Sequence, residues 1–202
     1  MNSKPFLIGI TGGIGSGKTT VAKIFSILGI PIYFADDRAK WLMSNDPALK
    51  DQIQNSFGNN SYHEDGSLNR EFIASNVFGN IENIKTINSL VHPAVKSDFE
   101  QWAKSQESPY VLKEAALLFE TGSYKELDRV ITVSSPLRIR INRVLLRDPH
   151  RNEEQLNAII DQQMAEEEKI QLSDYVIKNI DNKLLIPQAL KIHDKLLLLG
   201  KK

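Results

Sequence analysis

The chain has 202 residues, 41% of them hydrophobic, which suits one α/β domain with excursions and supplies apolar material for a sizeable core. Its 25 basic and 25 acidic residues cancel, so no overall field favours nucleic acid or a membrane surface, and any basic site must be local. The absence of cysteine excludes disulfides, thiol catalysis and thiolate metal sites.

In chain order, Phe6-Leu7-Ile8-Gly9-Ile10 reads as a short buried strand. Residues Gly12-Gly13-Ile14-Gly15-Ser16-Gly17-Lys18-Thr19 then form a complete G-x-x-x-x-G-K-T loop. From Thr20 to Leu28 the apolar residues Val21, Ile24, Phe25 and Leu28 follow helical spacing. Strand, glycine loop and helix in that order are the context of a triphosphate site. Gly12, Gly13, Gly15 and Gly17 keep the loop slim, so backbone N–H groups can crowd around phosphate oxygens. The cradle predicted for ATP runs Gly13, Ile14, Gly15, Ser16, Gly17, Lys18, Thr19 and Thr20. Lys18 reaches the β- and γ-phosphates as a point charge, and Thr19 offers its hydroxyl to Mg²⁺. A Rossmann dinucleotide loop has no such lysine, and the remaining alternative is a glycine-rich turn that matches by chance.

A second strand is expected at Ile32-Tyr33-Phe34, after Gly29-Ile30-Pro31 ends the first helix. The polar segment Ala35 to Lys40 opens a helix with Asp36 or Asp37 near its start. Asp46-Pro47 caps and begins another over residues 46–58. From Leu68 to Lys104 the spacing is helical (Phe72, Ile73, Val77, Phe78, Ile84, Ile87, Leu90, Val91, Val95, Phe99, Trp102), punctuated by Gly79 and Pro93, with no strand. Strands resume at Tyr110-Val111-Leu112, Arg129 to Val133 and Tyr175-Val176-Ile177. Between the last two, Pro136 opens an arginine-rich helix, and Asn152-Glu153-Glu154 starts one continuing through Ile160 and Met164 to Ile170. Leu184 to Leu199 closes the chain as a helix. Alternating strands and helices imply a parallel five-stranded sheet covered on both faces, a three-layer α/β/α fold.

With those elements placed, the sequence resembles the dephospho-CoA kinase family of P-loop kinases. The resemblance spans nearly the whole chain. It rests on Ile10 to Ala22, Ala35-Asp36, Gly66-Ser67-Leu68-Asn69-Arg70, Val91-His92-Pro93, Leu117-Leu118-Phe119-Glu120, Arg143 with Arg147-Asp148, Gln163, and Asp174 to Ile177 with Asn179. It implies ATP-dependent phosphorylation of the 3′-hydroxyl of the dephospho-CoA ribose, the last step of coenzyme A synthesis, with Mg²⁺ and with ATP and dephospho-CoA as small-molecule substrates. It also implies one domain over residues 1–202, with a helical acceptor-binding excursion at about 60–106 and a lid at about 138–170. Where the family has Asp-Ala-Asp after strand two, this chain has Phe34 first and keeps only Asp36. Glu114, Ala116 and Asn69 also replace family-typical Asp, Pro and Asp.

The residues carry two readings each. Asp36, past the carboxyl end of strand two, is placed to orient the acceptor hydroxyl and take its proton, or to cap a helix. Glu114 holds a water of the Mg²⁺ shell, meets the acceptor, or is a solvated acid beside an exposed Lys113. Arg143 and Arg147, four residues apart on one face, close over the ATP phosphates as a lid pair. Alternatively they join Arg138 and Arg140 in a solvated basic face neutralised by Glu153, Glu154, Glu166, Glu167 and Glu168. The resemblance assigns Arg70 and His92 to the acceptor and Asn179 to the adenine of ATP; a turn asparagine is the alternative for the last. Phe119, Trp41 and Trp102 are expected to pack, with bordering the pantetheine arm of the acceptor as the alternative. A nucleoside or nucleotide kinase of the same P-loop class is the competing enzyme. A GTP switch would need Asn-Lys-x-Asp, and Asn182-Lys183 is followed by Leu184-Leu185. No signal peptide or membrane span is expected, which suits a cytoplasmic monomer or small homo-oligomer that binds neither nucleic acid nor membrane.

Overall fold

The apolar run Phe6–Thr11 forms β1, the central strand of a five-stranded parallel sheet. The computed structural model describes residues 4–77 and 79–200; Phe78, counted above in the helical spacing, lies outside them. The other strands are β2 (Ile32–Phe34), β3 (Tyr110–Glu114), β4 (Arg129–Ser134) and β5 (Tyr175–Lys178), in the order β2-β3-β1-β4-β5. All five lie where the sequence places them. In register, Ile10 sits beside Glu114 of β3, and Thr11 beside Thr132 of β4. The carboxyl ends of three adjacent strands therefore surround the start of the glycine loop.

The chain divides into two compact units, Met1–Phe34 with Ala103–Lys202, and Ala35–Trp102. In the first, α1 (Lys18–Ile27) and α9 (Leu185–Leu199) cover one face of the sheet. Ile8 and Ile10 alternate toward that face and meet Val21, Ala22 and Phe25 of α1, with Ile192 and Leu196 of α9 in the same cluster. Full burial of a side chain such as Phe25 stabilises by about 1.5–3 kcal/mol. On the other face Leu118 and Leu127 close over Gly9, a methyl on which would lie 2.8 Å from Leu118 Cδ1. Beneath the first face the Tyr110 hydroxyl meets His193 Nδ1 at 2.6 Å; burial pushes the pKa of that phenol well above its usual value.

Three further helices follow β4: α6 (Leu137–Arg147), α7 (Glu153–Asp161) and α8 (Glu166–Gln171). A single helix was expected from Asn152 to Ile170. The structure breaks it at 162–165, where the Met164 N–H donates to Glu120 Oε1 at 2.8 Å instead of continuing the helical ladder. Asn152 and Gln155 form a reciprocal capping box at the start of α7.

The second unit comprises α2 (Ala35–Asn45), α3 (Pro47–Phe57), α4 (Arg70–Val77) and α5 (Ile81–Lys104, whose last two residues belong to the first unit). It includes the expected excursion up to Trp102 and begins earlier, at Ala35. Asp46 caps α3 through Leu49 N–H at 2.9 Å. The Arg38 guanidinium grips Asp98 of α5 with two bonds of 2.9 and 2.6 Å, tying α2 to α5. Pro93 lies inside α5, which continues past it; it does not punctuate the helix there as the sequence suggested. The Tyr62 hydroxyl donates to Met43 O at 2.7 Å, and burial pushes its pKa up to about 12. Trp102 stacks on Phe99 as expected of a packing residue, whereas Trp41 is 48% exposed and carries the Arg38 guanidinium over its ring at 4.2 Å. Among the described residues no helix is long and apolar enough to cross a membrane.

Candidate active site

Residues Gly12 to Gly17 leave β1 and enter α1 at Lys18. Gly17 occupies the cap position with φ 93, and no side chain caps the helix. The first-turn amides of Lys18, Thr19 and Thr20 thus sit at the positive end of the α1 dipole, an arrangement suited to anions. Ahead of them Gly13, Ile14, Gly15 and Ser16 form a turn closed by Ser16 N–H to Gly13 O at 3.1 Å. Gly15, third in that turn, has φ 78.

That loop is seated on side chains and backbone from β4, α6 and the segment after β5. Arg140 of α6 is buried; its Nε donates to Ser135 O at 3.0 Å and pairs with Glu166 Oε2 at 3.3 Å. Its guanidinium abuts Gly13, where a methyl would stand 2.9 Å from Cζ and overlap Nη1. A methyl on Gly15 would meet the Arg140 carbonyl and lie 2.9 Å from Val144 Cγ2. Glycine at both positions is therefore demanded by α6 as well as by a phosphate. Asn179, just past β5, donates its Nδ2–H to Ser16 O at 2.8 Å. Its Oδ1 accepts from Arg143 Nη2 at 3.3 Å, and Arg143 Nη1 also donates to Ser135 Oγ at 3.3 Å.

At the opposite side of α1, the Thr19 hydroxyl donates to Glu114 Oε1 at 3.4 Å. Glu114 ends β3 and is buried, with Lys113 buried beside it at 4% exposure rather than solvated. A hydroxyl and a carboxylate are hard oxygen donors of the kind Mg²⁺ takes, and they fit an ion that brings phosphate and water ligands with it. Among the described residues no group of three or more His, Cys, Asp or Glu is assembled for a metal.

These features together describe a nucleotide-binding kinase fold, and comparison with known proteins narrows it. The family model for dephospho-CoA kinase matches residues 6–184. The chain belongs to the dephospho-CoA kinase family. Similar proteins include the dephospho-CoA kinase of Bacteroides fragilis strain YCH46, 35% identical over 92% of this chain and 90% of its own. The Porphyromonas gingivalis dephospho-CoA kinase is 37% identical over 92% and 91%. Among solved structures, TT1252 from Thermus thermophilus superposes with a TM-score of 0.84 at 32% identity, covering 96% of this chain and 98% of that one.

Within this dephospho-CoA kinase family member, the predicted site residues Lys18, Thr19, Glu114, Arg143 and Asn179 all belong to the first unit, and the bonds above link Thr19 with Glu114 and Arg143 with Asn179 and the loop. Arg147 is largely exposed at the end of α6 and is held by Asp148, with bonds of 3.0 and 2.8 Å. That pairing raises the guanidinium's pKa and lowers the Asp148 carboxyl below its usual value. Asp36, Arg70 and His92 belong to the second unit and are exposed. Asp36 is the second residue of α2, inside the first turn rather than at the cap position. Sequence reasoning passed over Arg140, grouped with a basic surface. The glycine at 13 was its only trace, because the buried guanidinium beside it leaves no room for a Cβ.

Proposed function

We propose that this chain carries out its family's reaction with Gly13 to Thr20 as the donor cradle, Asp36 as the base at the acceptor, and the arginines of α6 as the charge that closes the site. The reaction is the family's: ATP and dephospho-CoA give ADP and coenzyme A, the final step of coenzyme A biosynthesis. The observation that carries the proposal is the uncapped N-terminus of α1 preceded by a seated glycine loop, with the Thr19 hydroxyl beside the Glu114 carboxylate.

In this reading the loop amides and Lys18 hold the β- and γ-phosphates, and Asn179 keeps Ser16 and Arg143 aligned with them on the ATP side. Thr19 and Glu114 would hold the Mg²⁺ that comes with ATP, and the ion would supply neutralising charge on the phosphate oxygens. Asp36 accepts the proton of the ribose 3′-hydroxyl as its oxygen bonds to the γ-phosphorus. The bond from that phosphorus to the β–γ bridging oxygen breaks, and ADP leaves with the electron pair. Arg143 neutralises charge on the transferring group, and Arg147 joins it after exchanging Asp148 for phosphate. Arg70 and His92 hold the acceptor. The helices from about 138 to 170 act as the lid.

ADP release measured with dephospho-CoA, adenosine and AMP as separate acceptors tests the assignment. Turnover with dephospho-CoA alone is expected. Turnover with AMP and none with dephospho-CoA would replace it with a nucleotide kinase.

A further inference from the structure

The reaction needs the inner surface of the glycine loop, yet the outer surface is gripped as well. Gln163, in the break between α7 and α8, accepts the Ile14 N–H on its Oε1 at 2.9 Å. Its position is itself fixed. The next residue, Met164, donates its N–H to Glu120 Oε1 at 2.8 Å, and the same oxygen lies 2.7 Å from Lys169 Nζ. Lys169 is 1% exposed, so its ammonium and the Glu120 carboxylate form a nearly dry pair. One turn earlier on α8, Glu166 accepts the Ser134 hydroxyl at 2.6 Å and pairs with Arg140. Residues 163–169 thus join the end of β4 and the loop after β3 to the crest of the glycine loop.

Ile14 is the second residue of the four-residue turn that makes this crest. The central peptide of such a turn, here Ile14–Gly15, flips between turn types, and the Gly13–Ile14 plane before it, whose carbonyl accepts the Ser16 N–H and whose N–H Gln163 takes, sets where that flip starts. An amide engaged on the protein side fixes its own plane. We propose that Gln163 is a positioning residue for ATP: its side-chain carbonyl pins the Gly13–Ile14 peptide, so that the amides that follow stay aimed at the triphosphate. The proposal rests on the reading of this loop as the ATP cradle.

The test is Gln163→Met, similar in length but without the acceptor. Loss of one neutral hydrogen bond corresponds to about a five- to tenfold change in an equilibrium constant. The dissociation constant for ADP and the KM for ATP are therefore expected to rise by that factor. kcat and the KM for dephospho-CoA should stay within about twofold, and hydrogen exchange at the Ile14 amide of the nucleotide-free enzyme should accelerate. Gln163→Glu keeps an acceptor oxygen and is expected to keep Ile14 exchange slow. ADP binding by Gln163→Met within about twofold of the unmodified chain, or unchanged Ile14 exchange, would overturn the inference alone. An unmodified chain that bound no ADP would overturn the ATP reading with it.

Discussion

Gly13→Ala tests how tightly the glycine loop is set against α6. The new methyl would overlap the Arg140 guanidinium and lie 2.9 Å from its Cζ. Arg140 has little freedom to retreat, because it is 8% exposed and is held by Ser135 O at 3.0 Å and Glu166 at 3.3 Å. Displacing it sacrifices a buried bond from a charged donor, worth about 1.5–3 kcal/mol. Gly13→Ala is therefore expected to lower unfolding stability by about 2–3 kcal/mol, and to raise the KM for ATP. Arg140→Ala should itself destabilise by about 1.5–3 kcal/mol, since it strips Ser135 O of its donor. In the Arg140→Ala background the space is vacant, so adding Gly13→Ala should cost less than about 1 kcal/mol. Urea unfolding of the four proteins measures the coupling. If the two losses add to within about 0.5 kcal/mol, the methyl and the guanidinium do not compete and the reasoning fails.

Three other predictions concern single residues. Asp36→Asn should lower kcat about 10²–10⁴-fold with the KM for ATP unchanged, and should leave the melting temperature alone because Asp36 is exposed; near-normal turnover would remove it as the base. Asp148→Asn releases Arg147 from a local competitor, so the KM for ATP is expected to fall by up to about fivefold, as for loss of an exposed ion pair, and a rise in KM would show Asp148 to be an aid instead. The Tyr62 phenol, 10.0 when unperturbed and about 12 here, favours its protonated form in the folded chain. Its contribution is whole below pH 10 and is lost as pH rises toward 12, so Tyr62→Phe should flatten the stability profile in that window, and an unchanged slope in urea titrations would refute this.

What was legible in the sequence followed from local pattern. The five strands are short apolar runs bounded by turn residues, and the phosphate loop is a contiguous string whose meaning depends on its immediate flanks. Asp46 before Pro47 and Asn152 before Gln155 announced their helix starts in the same way. What escaped depends on partners distant in the chain. Gln162 to Ala165 has nothing that forbids helix; it is broken by Glu120, forty-four residues away. Lys113 and Arg140 look solvent-bound by residue type and are buried by what surrounds them. Pro93 is placed where α5 accommodates the missing N–H, which spacing alone does not reveal. The residues proposed for the donor side could therefore be listed from the sequence, but the contacts that hold them could not.

The strand order bears on how the chain matures. β1 is made first, yet its two neighbours are β3 and β4, with Phe6 paired to Tyr110 and Ile8 to Arg129. An apolar strand buried on both faces cannot be stable alone, and closing loops of more than a hundred residues is entropically costly and slow. During synthesis the glycine loop therefore emerges long before anything can hold it. The whole Ala35–Trp102 unit has time to fold while β1 waits for partners. Chaperones that shield nascent apolar segments would find the first strand exposed through that interval.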